Sequence, residues 1–347
     1  MNIDEKYMRI ALGLARKAEG LTNPNPTVGA VIVKDGRIIG KGYHRACGLP
    51  HAEINALKSA GPKAKGATLY VTLEPCDHFG RTPPCTEAII GSGIKKVVIA
   101  MKDPNPLNNG RGIKRLNRAG IKTEAGVLGK EAARLNAPFV KFITTGRPFV
   151  TVKMAQSLDG KIATRSGESR WISSEASRRY VHELRGKVDA VMVGVNTVIK
   201  DDPLLLSKTK AGKQPARIIV DGKLKTPRNA RIFSRMSGSP VIIATTKKKG
   251  RVDLKDLLRT LGRMGMMHIL VEGGGELVAS LVEEALADRF LFFIAPKIIG
   301  GRAAPTSVEG KGLAELEKAP VLKNINVKRF ADDILIEGEA IRCSPVL

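Results

Sequence analysis

The chain has 347 residues, which is more than one ordinary hydrophobic core requires and suits two domains. Its formal charge of +25 admits a nucleic acid, an acidic membrane surface or an anionic small molecule as a partner. Lys and Arg are spread over the whole length, with only brief clusters such as 247–249, and aromatic residues make up only 4%. This distribution argues against nucleic acid and membrane partners and favours a solvated basic surface.

The N-terminus and the cysteines predict a cytoplasmic protein. The first residues lack the basic-then-apolar order of a signal peptide, and no apolar run is long enough to span a bilayer. Four cysteines are too few for the disulfide framework of a small secreted domain. Two of them, Cys47 and Cys343, belong to no motif, and we expect no disulfides.

Strands and helices alternate along the first half of the chain. An amphipathic helix is predicted at 4–19, and strands at 28–34 and 37–42 flank the hairpin signal Asp35-Gly36. Further predicted elements follow in chain order: a helix from Pro50, a strand at 68–73, a helix from Cys85, a strand at 96–100, a helix at 112–119, a strand at 122–124 and a helix at 130–135. This alternation predicts an α/β sheet with helices on both faces. We expect the ligand at the edge where strand ends converge, with 25–29 as one wall of the pocket.

Four residues of this half predict a catalytic site for one zinc ion. His51, Cys76 and Cys85 offer an imidazole and two thiolates, which zinc prefers, and they leave a fourth position for water that ionises near neutral pH. Glu53 lies two residues past His51 and is better placed to carry a proton beside that water. Both cysteines are expected near helix starts, where backbone N–H groups favour the thiolate. A lone histidine or a pair of cysteines is often structural, but this combination is not expected by chance.

The spacing of the two cysteines indicates the class of deaminase. Eight residues, 77–84, separate them, whereas nucleoside and tRNA deaminases usually have the spacing C-x-x-C. Together with Asn-Pro-Thr-Val-Gly-Ala at 25–30 and Gly-Tyr-His at 42–44, this stretch resembles the deaminase half of the bifunctional riboflavin-biosynthesis deaminase/reductase family.

The resemblance implies a fold and a set of roles for this half. The expected fold is a cytidine-deaminase-like three-layer α/β/α domain. Glu53 is the implied general acid/base, and Asn25 is an implied substrate-binding residue. Surface or substrate-facing roles are expected for His44 and His78. The implied metal ligands are His51, Cys76 and Cys85.

The pattern restarts after 144–148, which predicts a boundary between a deaminase domain at 1–146 and a reductase domain at 147–347. Residues 148–160 resemble the opening of the reductase half of the same family, whose α/β fold is like that of dihydrofolate reductase. Later motifs follow in the family's order: Ser-Arg-Trp-Ile-Ser at 169–173, a helix containing 178–185, a strand at 190–194 followed by 195–197 and 201–203, and a strand at 268–271 that turns through 272–275 into a helix at 276–284.

The glycine-rich turn at 273–275 has a physical rationale for binding a pyrophosphate. Glycines between a strand and a helix let the backbone approach closely, and the first helical N–H groups donate to phosphate oxygens. Such turns are often only tight turns, and no G-x-G-x-x-G fingerprint indicates a Rossmann site. Binding of a pyrophosphate by this turn is supported by its position within the reductase pattern.

By resemblance, two sets of residues in the second half bind ligands. The set implied for NADPH is Ala155, Trp171, Thr197, Asp201, Gly274, Gly275, Glu276 and Leu277. The set implied for the ribosyl-phosphate substrate is Ser169, Arg185, Leu205, Lys208 and Glu272.

Plainer interpretations remain open for some of these residues, and the sequence departs from the family pattern at others. Trp171 could be ordinary core, and Arg185 an ordinary surface charge at a helix end. The family usually shows Thr, Arg and Ser where this chain has Leu206, Lys208 and Gly222, and a lysine gives up the bidentate fork of arginine.

The resemblance implies a phosphorylated pyrimidine substrate and two successive steps of riboflavin synthesis in one homo-oligomeric enzyme. The pyrimidine 2-amino group is lost by hydrolysis at zinc, and NADPH then reduces the ribosyl chain to ribityl. Two alternatives stay open from the sequence. One is a nucleic-acid deaminase of tRNA type with an accessory domain, and the other is a deaminase whose reductase half is inactive.

Overall fold

The computed structural model describes residues 2–80, 83–208, 213–234, 238–246 and 251–341. The lysines at 247–249 and Cys343 lie outside the described residues. The chain divides into two compact units, Met1–Gly146 and Arg147–Leu347. No helix in the described ranges combines the length and the apolar character needed to cross a membrane.

The described residues of the first unit form one mixed sheet in the order β2-β1-β3-β4-β5. Strand β1 pairs antiparallel with β2 and β3, whereas β3, β4 and β5 run parallel. The strands are β1 (Gly29–Lys34), β2 (Arg37–Tyr43), β3 (Thr68–Leu73), β4 (Lys96–Met101) and β5 (Lys122–Ala125). Because β3 and β4 are parallel, their carboxyl ends meet at one edge of the sheet.

Helices cover both faces of this sheet. They are α1 (Ile3–Ala15), α2 (Ala52–Ala60), α3 (Cys85–Gly91), α4 (Arg111–Arg118), α5 (Gly129–Leu135) and α6 (Ala137–Thr145). Alternate residues of β1 point to opposite faces, so Ile32 packs with α2, α3 and α4 while Val31 packs with α1 and α5. The prediction of a three-layer α/β/α deaminase-like fold is confirmed.

Two glycines of β2 let α2 approach the sheet very closely. A Cβ atom at Gly40 would lie 2.4 Å from the Ala56 carbonyl oxygen, and one at Gly42 would lie 2.3 Å from that of Ala52. Neither position therefore accepts a side chain without moving the helix. This contact fixes the start of α2, where His51 and Glu53 lie.

The described residues of the second unit form an eight-stranded sheet in the order β12-β13-β11-β6-β10-β7-β8-β9. Six neighbouring strands of this sheet run parallel, in the order β11-β6-β10-β7-β8-β9. Strand β13 pairs antiparallel with β11 and with β12. The strands are β6 (Phe149–Ser157), β7 (Ala190–Gly194), β8 (Ala216–Val220), β9 (Val241–Ala244), β10 (His268–Val271), β11 (Arg289–Ala295), β12 (Leu322–Phe330) and β13 (Asp333–Ala340).

Helices also pack on this second sheet. They are α7 (Glu175–Arg185), α8 (Val195–Asp201), α9 (Leu254–Arg263) and α10 (Gly275–Glu283). Helices α9 and α10 share the largest core cluster, with Leu258 and Leu281 packed beside Ile269 of β10. The prediction of a reductase-type α/β unit is confirmed.

The structure differs from the predicted elements in three places. The helix expected at 4–19 ends at Ala15 and continues as a 3₁₀ turn at Arg16–Ala18. Helix α6, where no element was predicted, begins at Ala137, and its Pro138 lies in the first helical turn, where proline is tolerated. Helix α8 was not predicted either, and it contains the motif at 195–197.

Candidate active sites

The three predicted metal ligands lie at the edge where β3 ends and two helices begin. His51 is the N-cap of α2, with extended backbone angles (φ −68°, ψ 167°). Cys76 follows β3 after Glu74 and Pro75, and Cys85 is the first residue of α3, so the helix start expected for both cysteines is found only for Cys85. The fold therefore brings together side chains that the sequence separates by up to 34 residues.

The donor atoms of these residues form a compact set. The Nδ1 atom of His51 lies 3.2 Å from the Sγ atom of Cys85 and 3.6 Å from that of Cys76. All three donor atoms lie within 4.8 Å of one another. One imidazole and two sulfur donors at this separation suit a tetrahedral zinc ion with one position left for a non-protein ligand.

The pKa values of the two cysteine thiols are shifted in opposite directions. The hydrogen bond from Cys85 lowers the pKa of Cys76 to about 4, and the Cys85 backbone N–H also donates to the Cys76 sulfur at 3.3 Å. The same shared hydrogen bond, together with burial, raises the pKa of Cys85 well above its ordinary value. The pair holds a thiolate, and a bound divalent cation would ionise the second thiol as well.

Glu53 lies in the first turn of α2 and is 4% exposed. Burial raises its pKa to about 7, and the negative charge of Cys76 acts in the same direction. A buried carboxyl group with a pKa near neutrality can both accept and return a proton. Its position beside the donor set agrees with a proton carrier.

Asn25 is connected to the metal-ligand cluster through His44, by one hydrogen bond and one ring contact. The Asn25 side-chain amide lies 3.1 Å from the His44 Nε2 atom, and the His44 ring contacts the His51 ring edge-on with centroids 5.2 Å apart. His44 is only 2% exposed, which excludes the surface role. Burial lowers its pKa, so the ring is neutral near pH 7.

The wall that carries Asn25 is held by a buried asparagine. The Asn136 side chain accepts from the Thr27 N–H at 2.8 Å and donates to the Thr27 carbonyl at 3.0 Å. This residue lies just before α6, more than a hundred positions along the chain. Sequence reasoning missed Asn136, because no local pattern marks a contact of such long range.

The segment before Cys76 is fixed by a second residue that the sequence did not reveal. The buried Glu74 carboxylate accepts from the backbone N–H groups of Asp103, Gly110 and Ile113 at 2.9–3.2 Å. A Cβ atom on Gly112 would lie 2.0 Å from the Pro75 carbonyl oxygen, so the chain packs tightly there. These contacts fix the backbone that presents the Cys76 sulfur.

The eight-residue insertion between the cysteines is tied back at its first residue. Asp77 accepts a 2.7 Å hydrogen bond from the Thr86 hydroxyl, and its N–H donates to the Asn108 side chain at 2.9 Å. His78 is half-buried, and its Nδ1 atom has no hydrogen-bond partner among the residues that the structure describes.

In the second unit, two predicted substrate residues form a buried ion pair. The Arg185 guanidinium donates to both Glu272 carboxylate oxygens, at 2.5 and 2.9 Å. The Arg185 side chain is 15% exposed, which excludes an ordinary surface charge. Burial alone would raise the pKa of Glu272, but the charge of Arg185 lowers it below its ordinary value.

Lys153 on β6 joins this pair and was missed by the sequence analysis. Its Nζ atom lies 3.9 Å from a Glu272 oxygen, and burial lowers the pKa of its amine. Lys153 and Glu272 are neighbours because β6 and β10 pair in register, with Val152 opposite Val271. Only the strand pairing, which the sequence does not specify, reveals this lysine.

Two more predicted substrate residues lie on the segment after α8. The Leu205 side chain is in the hydrophobic core, and its backbone has a positive φ of 54°, so only its main chain can face a ligand. The Leu206 carbonyl accepts from Arg185 at 3.2 Å and lies 3.0 Å from the His182 Nδ1 atom. Lys208 is exposed at the end of this segment.

The glycine-rich turn has the geometry expected for close approach of a ligand, but its glycines differ. Gly273 and Gly274 have φ of 93° and 81°, and added Cβ atoms would meet only the Thr197 hydroxyl or the Leu277 side chain, at 3.5–3.9 Å. A Cβ atom on Gly275 would instead lie 2.6 Å from the Thr306 carbonyl oxygen. Gly275 is thus required by chain packing, whereas Gly274 leaves an open cradle that a phosphate fits.

The predicted ligand-binding residues Ala155, Ser169, Trp171 and Asp201 differ in their surroundings. The Ser169 hydroxyl donates to the Asp201 carboxylate at 3.1 Å, so these two motifs meet. Trp171 is 62% exposed and stacks on the Arg178 guanidinium, which excludes the core interpretation. Ala155 is half-buried near the end of β6.

A cleft of about 300 Å³ opens beside the glycine-rich turn. It lies at the carboxyl ends of β7 and β8 and at the start of α10, where it includes Gly274, Glu276 and Leu277 of the predicted cofactor set. The further lining includes three cations that sequence reasoning did not single out, namely Lys223, Lys225 and Arg251.

Comparisons with known proteins cover both units. Residues 1–101 match the cytidine and deoxycytidylate deaminase zinc-binding region, and residues 148–336 match the RibD C-terminal domain. The riboflavin biosynthesis protein RibD of Aquifex aeolicus is 47% identical over 96% of this chain and 98% of its own. The RibD of Escherichia coli is 41% identical over 96% and 98%.

Solved structures agree along the whole length. Acinetobacter baumannii RibD matches with a TM-score of 0.89 at 37% identity, covering 98% of this chain and 99% of that one. A deaminase/reductase from Thermotoga maritima matches with a TM-score of 0.88 at 40% identity and the same coverage. The zinc-binding region and the reductase region fit Zn²⁺ and NADPH as cofactors. The comparisons do not favour the alternatives to a bifunctional enzyme, and the chain belongs to the RibD family of riboflavin-biosynthesis deaminase/reductases.

Proposed function

We propose that the chain catalyses two successive steps on one phosphorylated pyrimidine. The first is hydrolytic deamination of 2,5-diamino-6-ribosylamino-4(3H)-pyrimidinone 5′-phosphate. The second is reduction of the ribosyl chain by NADPH, which gives 5-amino-6-ribitylamino-uracil 5′-phosphate. The Thermotoga maritima relative supports this substrate class, since its description names a diaminohydroxyphosphoribosylaminopyrimidine deaminase and a phosphoribosylaminouracil reductase.

In this proposal the deaminase site lies in 1–146. His51, Cys76 and Cys85 would hold zinc, which when bound supplies a nucleophile from water at neutral pH. Glu53 takes a first proton from the attacking water and delivers it to the ring nitrogen. It then takes the second proton from the new hydroxyl group and delivers it to the amino group, so that the C–N bond breaks and ammonia leaves. The two cysteine sulfurs and the imidazole beside a buried Glu53 are the observation that carries the proposal.

Asn25 and His44 orient the pyrimidine in the first site. The Asn25 amide and the neutral His44 ring form one hydrogen-bonded unit next to His51, so together they offer a fixed donor and acceptor arrangement to the ring edge. Asn136 keeps this unit in place through Thr27. A rigid polar wall suits a planar heterocycle, because orientation lowers the barrier for attack at one ring carbon.

The reductase site lies in 147–347, where the NADPH set is Ala155, Trp171, Thr197, Asp201 and the backbone of 274–277. When bound, the nicotinamide supplies the hydride, and the protein positions the sugar carbon against it. Glu272 binds sugar hydroxyls, and Arg185 holds that carboxylate with two hydrogen bonds. Ser169, the Leu205 backbone and Lys208 complete the substrate set.

We include Lys153 among the sugar-contacting residues. Its amine is buried and lies 3.9 Å from a Glu272 oxygen, and burial lowers its pKa. An amine this close to the carboxylate proposed to bind the sugar can donate a hydrogen bond to a neighbouring sugar hydroxyl.

Assembly and location complete the proposal. We propose that the protein is a homo-oligomer and that it lies in the cytoplasm. The edge strand β12 supports the first point, because it exposes the apolar side chains of Ile325 and Val327. Such an edge is a ready template for pairing with another chain. Light scattering on the purified protein tests this point, and a mass of one chain at micromolar concentration would contradict it.

A direct assay tests the two activities. The purified protein is incubated with the diamino pyrimidine ribosyl phosphate, with and without NADPH, and ammonia and NADPH absorbance are followed. We expect ammonia release in both mixtures and NADPH oxidation only after deamination. Release of ammonia without any NADPH oxidation would indicate that the reductase half is inactive.

A further inference from the structure

The main chain around Cys76 is held by a buried asparagine from another part of the first unit. Asn108 lies in the loop between β4 and α4 and is fully buried. Its side-chain oxygen accepts from the Asp77 N–H at 2.9 Å, and its side-chain nitrogen donates to the Pro75 carbonyl oxygen at 3.3 Å. One amide group therefore holds both the residue before Cys76 and the residue after it.

The orientation of this amide is fixed by its partners. The N–H of Asp77 can only donate and the carbonyl of Pro75 can only accept, so the oxygen and the nitrogen of the Asn108 side chain cannot exchange places. The nitrogen also donates to the Asp103 carboxyl group at 3.1 Å. Both N–H donors of the amide and its oxygen thus have partners, and the side chain is locked in one position.

The loop that carries Asn108 is itself anchored at both ends. One oxygen of the buried Glu74 carboxylate accepts from the N–H groups of Asp103 and Gly110, at 3.0 and 2.9 Å. Glu74 lies only two positions before Cys76. The loop and the segment that presents the Cys76 sulfur are therefore tied to each other twice, by this carboxylate and by the Asn108 amide.

Cys76 requires such support more than Cys85 does. Cys85 is the first residue of α3, so the helix sets the direction of its side chain, whereas Cys76 lies between the end of β3 and the insertion at 77–84. An insertion of this length constrains the distance between the two sulfurs only weakly. The Thr86 N–H donates to the Cys76 carbonyl at 3.3 Å, which ties Cys76 to α3. Asn108 adds two hydrogen bonds from a part of the chain outside 76–85.

We propose that Asn108 is a positioning residue of the metal site, which holds the Cys76 sulfur in place before zinc binds. The inference rests on the proposed metal ligands and adds a residue that orients one of them. The polar atoms of the Asn108 side chain already bond to the protein, so it acts through the main chain and not as a ligand. A donor that is already in position loses little conformational freedom when the ion binds, and the affinity for zinc is correspondingly higher.

The test measures zinc affinity and the geometry of the site in the full chain. Asn108→Leu leaves the Asp77 N–H and the Pro75 carbonyl without their partner, and Asn108→Asp keeps the acceptor but loses the donor. We expect the zinc affinity, measured by competition with a fluorescent chelator, to fall about 10- to 100-fold in both variants. With Co²⁺ as the probe, we expect the thiolate-to-cobalt charge-transfer absorption to weaken or shift, because one sulfur is misplaced.

A matched variant makes the same change at a neighbouring asparagine. Asn109 is exposed, and Asn109→Leu should keep the zinc affinity and the cobalt spectrum of the parent protein. Circular dichroism verifies that each variant is folded. A folded Asn108→Leu protein with the parent's zinc affinity and cobalt spectrum would overturn the proposal, because Asn108 would then only stabilise the fold. A parent protein that binds no zinc would instead overturn the metal site itself.

Hydrogen exchange on the parent protein gives a test that requires no variant and that decides the matter where a variant does not fold. If Asn108 holds the chain before the ion binds, the Asp77 N–H should be protected from exchange in the zinc-free protein. Nuclear magnetic resonance on the full chain, with and without zinc, measures this protection. Rapid exchange of the Asp77 N–H without zinc, and protection only after zinc binds, would overturn the proposal, because the ion would then order the segment.

Discussion

At the scale of single residues, Glu53 is the group whose loss has the clearest chemical consequence. Glu53→Gln keeps the size of the side chain and leaves all three metal ligands, but it removes the proton carrier. We expect deamination to slow by about 100- to 10,000-fold, as is typical for a lost general acid/base. Rates of ammonia release, measured on protein with a verified zinc content, test this expectation.

The same variant carries its own control in the other half of the chain. Glu53→Gln should still oxidise NADPH when the deaminated intermediate is supplied, because the proposed reductase residues lie in 147–347. Deamination near the parent rate with zinc retained would exclude Glu53 from the chemistry. Loss of both activities would indicate a folding defect rather than a chemical one.

Cys85 tests the metal site directly. Cys85→Ser replaces a buried sulfur donor with a hydroxyl, which is a much poorer ligand for zinc at neutral pH. We expect bound zinc well below one ion per chain by elemental analysis. The matched variant is Cys47→Ser, which changes a cysteine outside the cluster and should keep a full zinc content. A full complement of zinc in Cys85→Ser would remove that residue from the ligand set.

The metal ligands could be identified from the sequence, whereas the lysines of the second unit could not. His51, Cys76 and Cys85 have donor chemistry that few other sites require. Lys153 and Lys223 are ordinary lysines in the sequence. Only the fold shows that Lys153 lies beside a buried carboxylate and that Lys223 lines a cleft.

At the scale of helices and strands, the contact between α2 and β2 controls the geometry of the first site. Gly42→Ala would force a Cβ atom against the Ala52 carbonyl oxygen, so α2 must shift. Overpacking of this kind costs about 1–3 kcal/mol of unfolding free energy. We also expect weaker zinc binding, because His51 caps that helix. Chemical denaturation and zinc titration measure the two effects.

A glycine in an open position gives the opposite expectation. Gly13 lies within α1, and an added Cβ atom would meet nothing within 4 Å. Gly13→Ala should therefore stabilise the protein by about 0.5–1 kcal/mol through the lower entropy of the unfolded chain. Equal destabilisation by both substitutions would contradict the packing argument for β2.

Elements with strong local patterns were predicted well from the sequence, and others could not be. The hairpin at Asp35-Gly36 and the strand before Cys76 carry clear turn or β-branched signals, and the structure has both. Helix α6 was not predicted. The antiparallel strands β12 and β13 were not predicted, because their long-range pairing with β11 has no local signature.

At the scale of the whole molecule, the two compact units match two separate family models, and each has its own core clusters. A unit with its own core and its own site can fold and bind by itself. All proposed contacts to NADPH, from Ala155 to the backbone of 274–277, belong to the second unit. The sequence predicts a boundary between 146 and 147, because the pattern restarts after 144–148 with a new strand.

The two halves of the chain should keep their ligands when they are separated. A fragment of residues 147–347 should bind NADPH with a Kd within about twofold of that of the full chain, because a domain with an intact core keeps its site. A fragment of residues 1–146 should bind zinc and show no NADPH binding. Nicotinamide fluorescence on both fragments, with circular dichroism to verify folding, makes the measurement. If the folded second fragment bound NADPH at least tenfold more weakly than the full chain, the first unit would have to contribute to the cofactor site. That result would contradict the assignment of the whole NADPH set to the second unit.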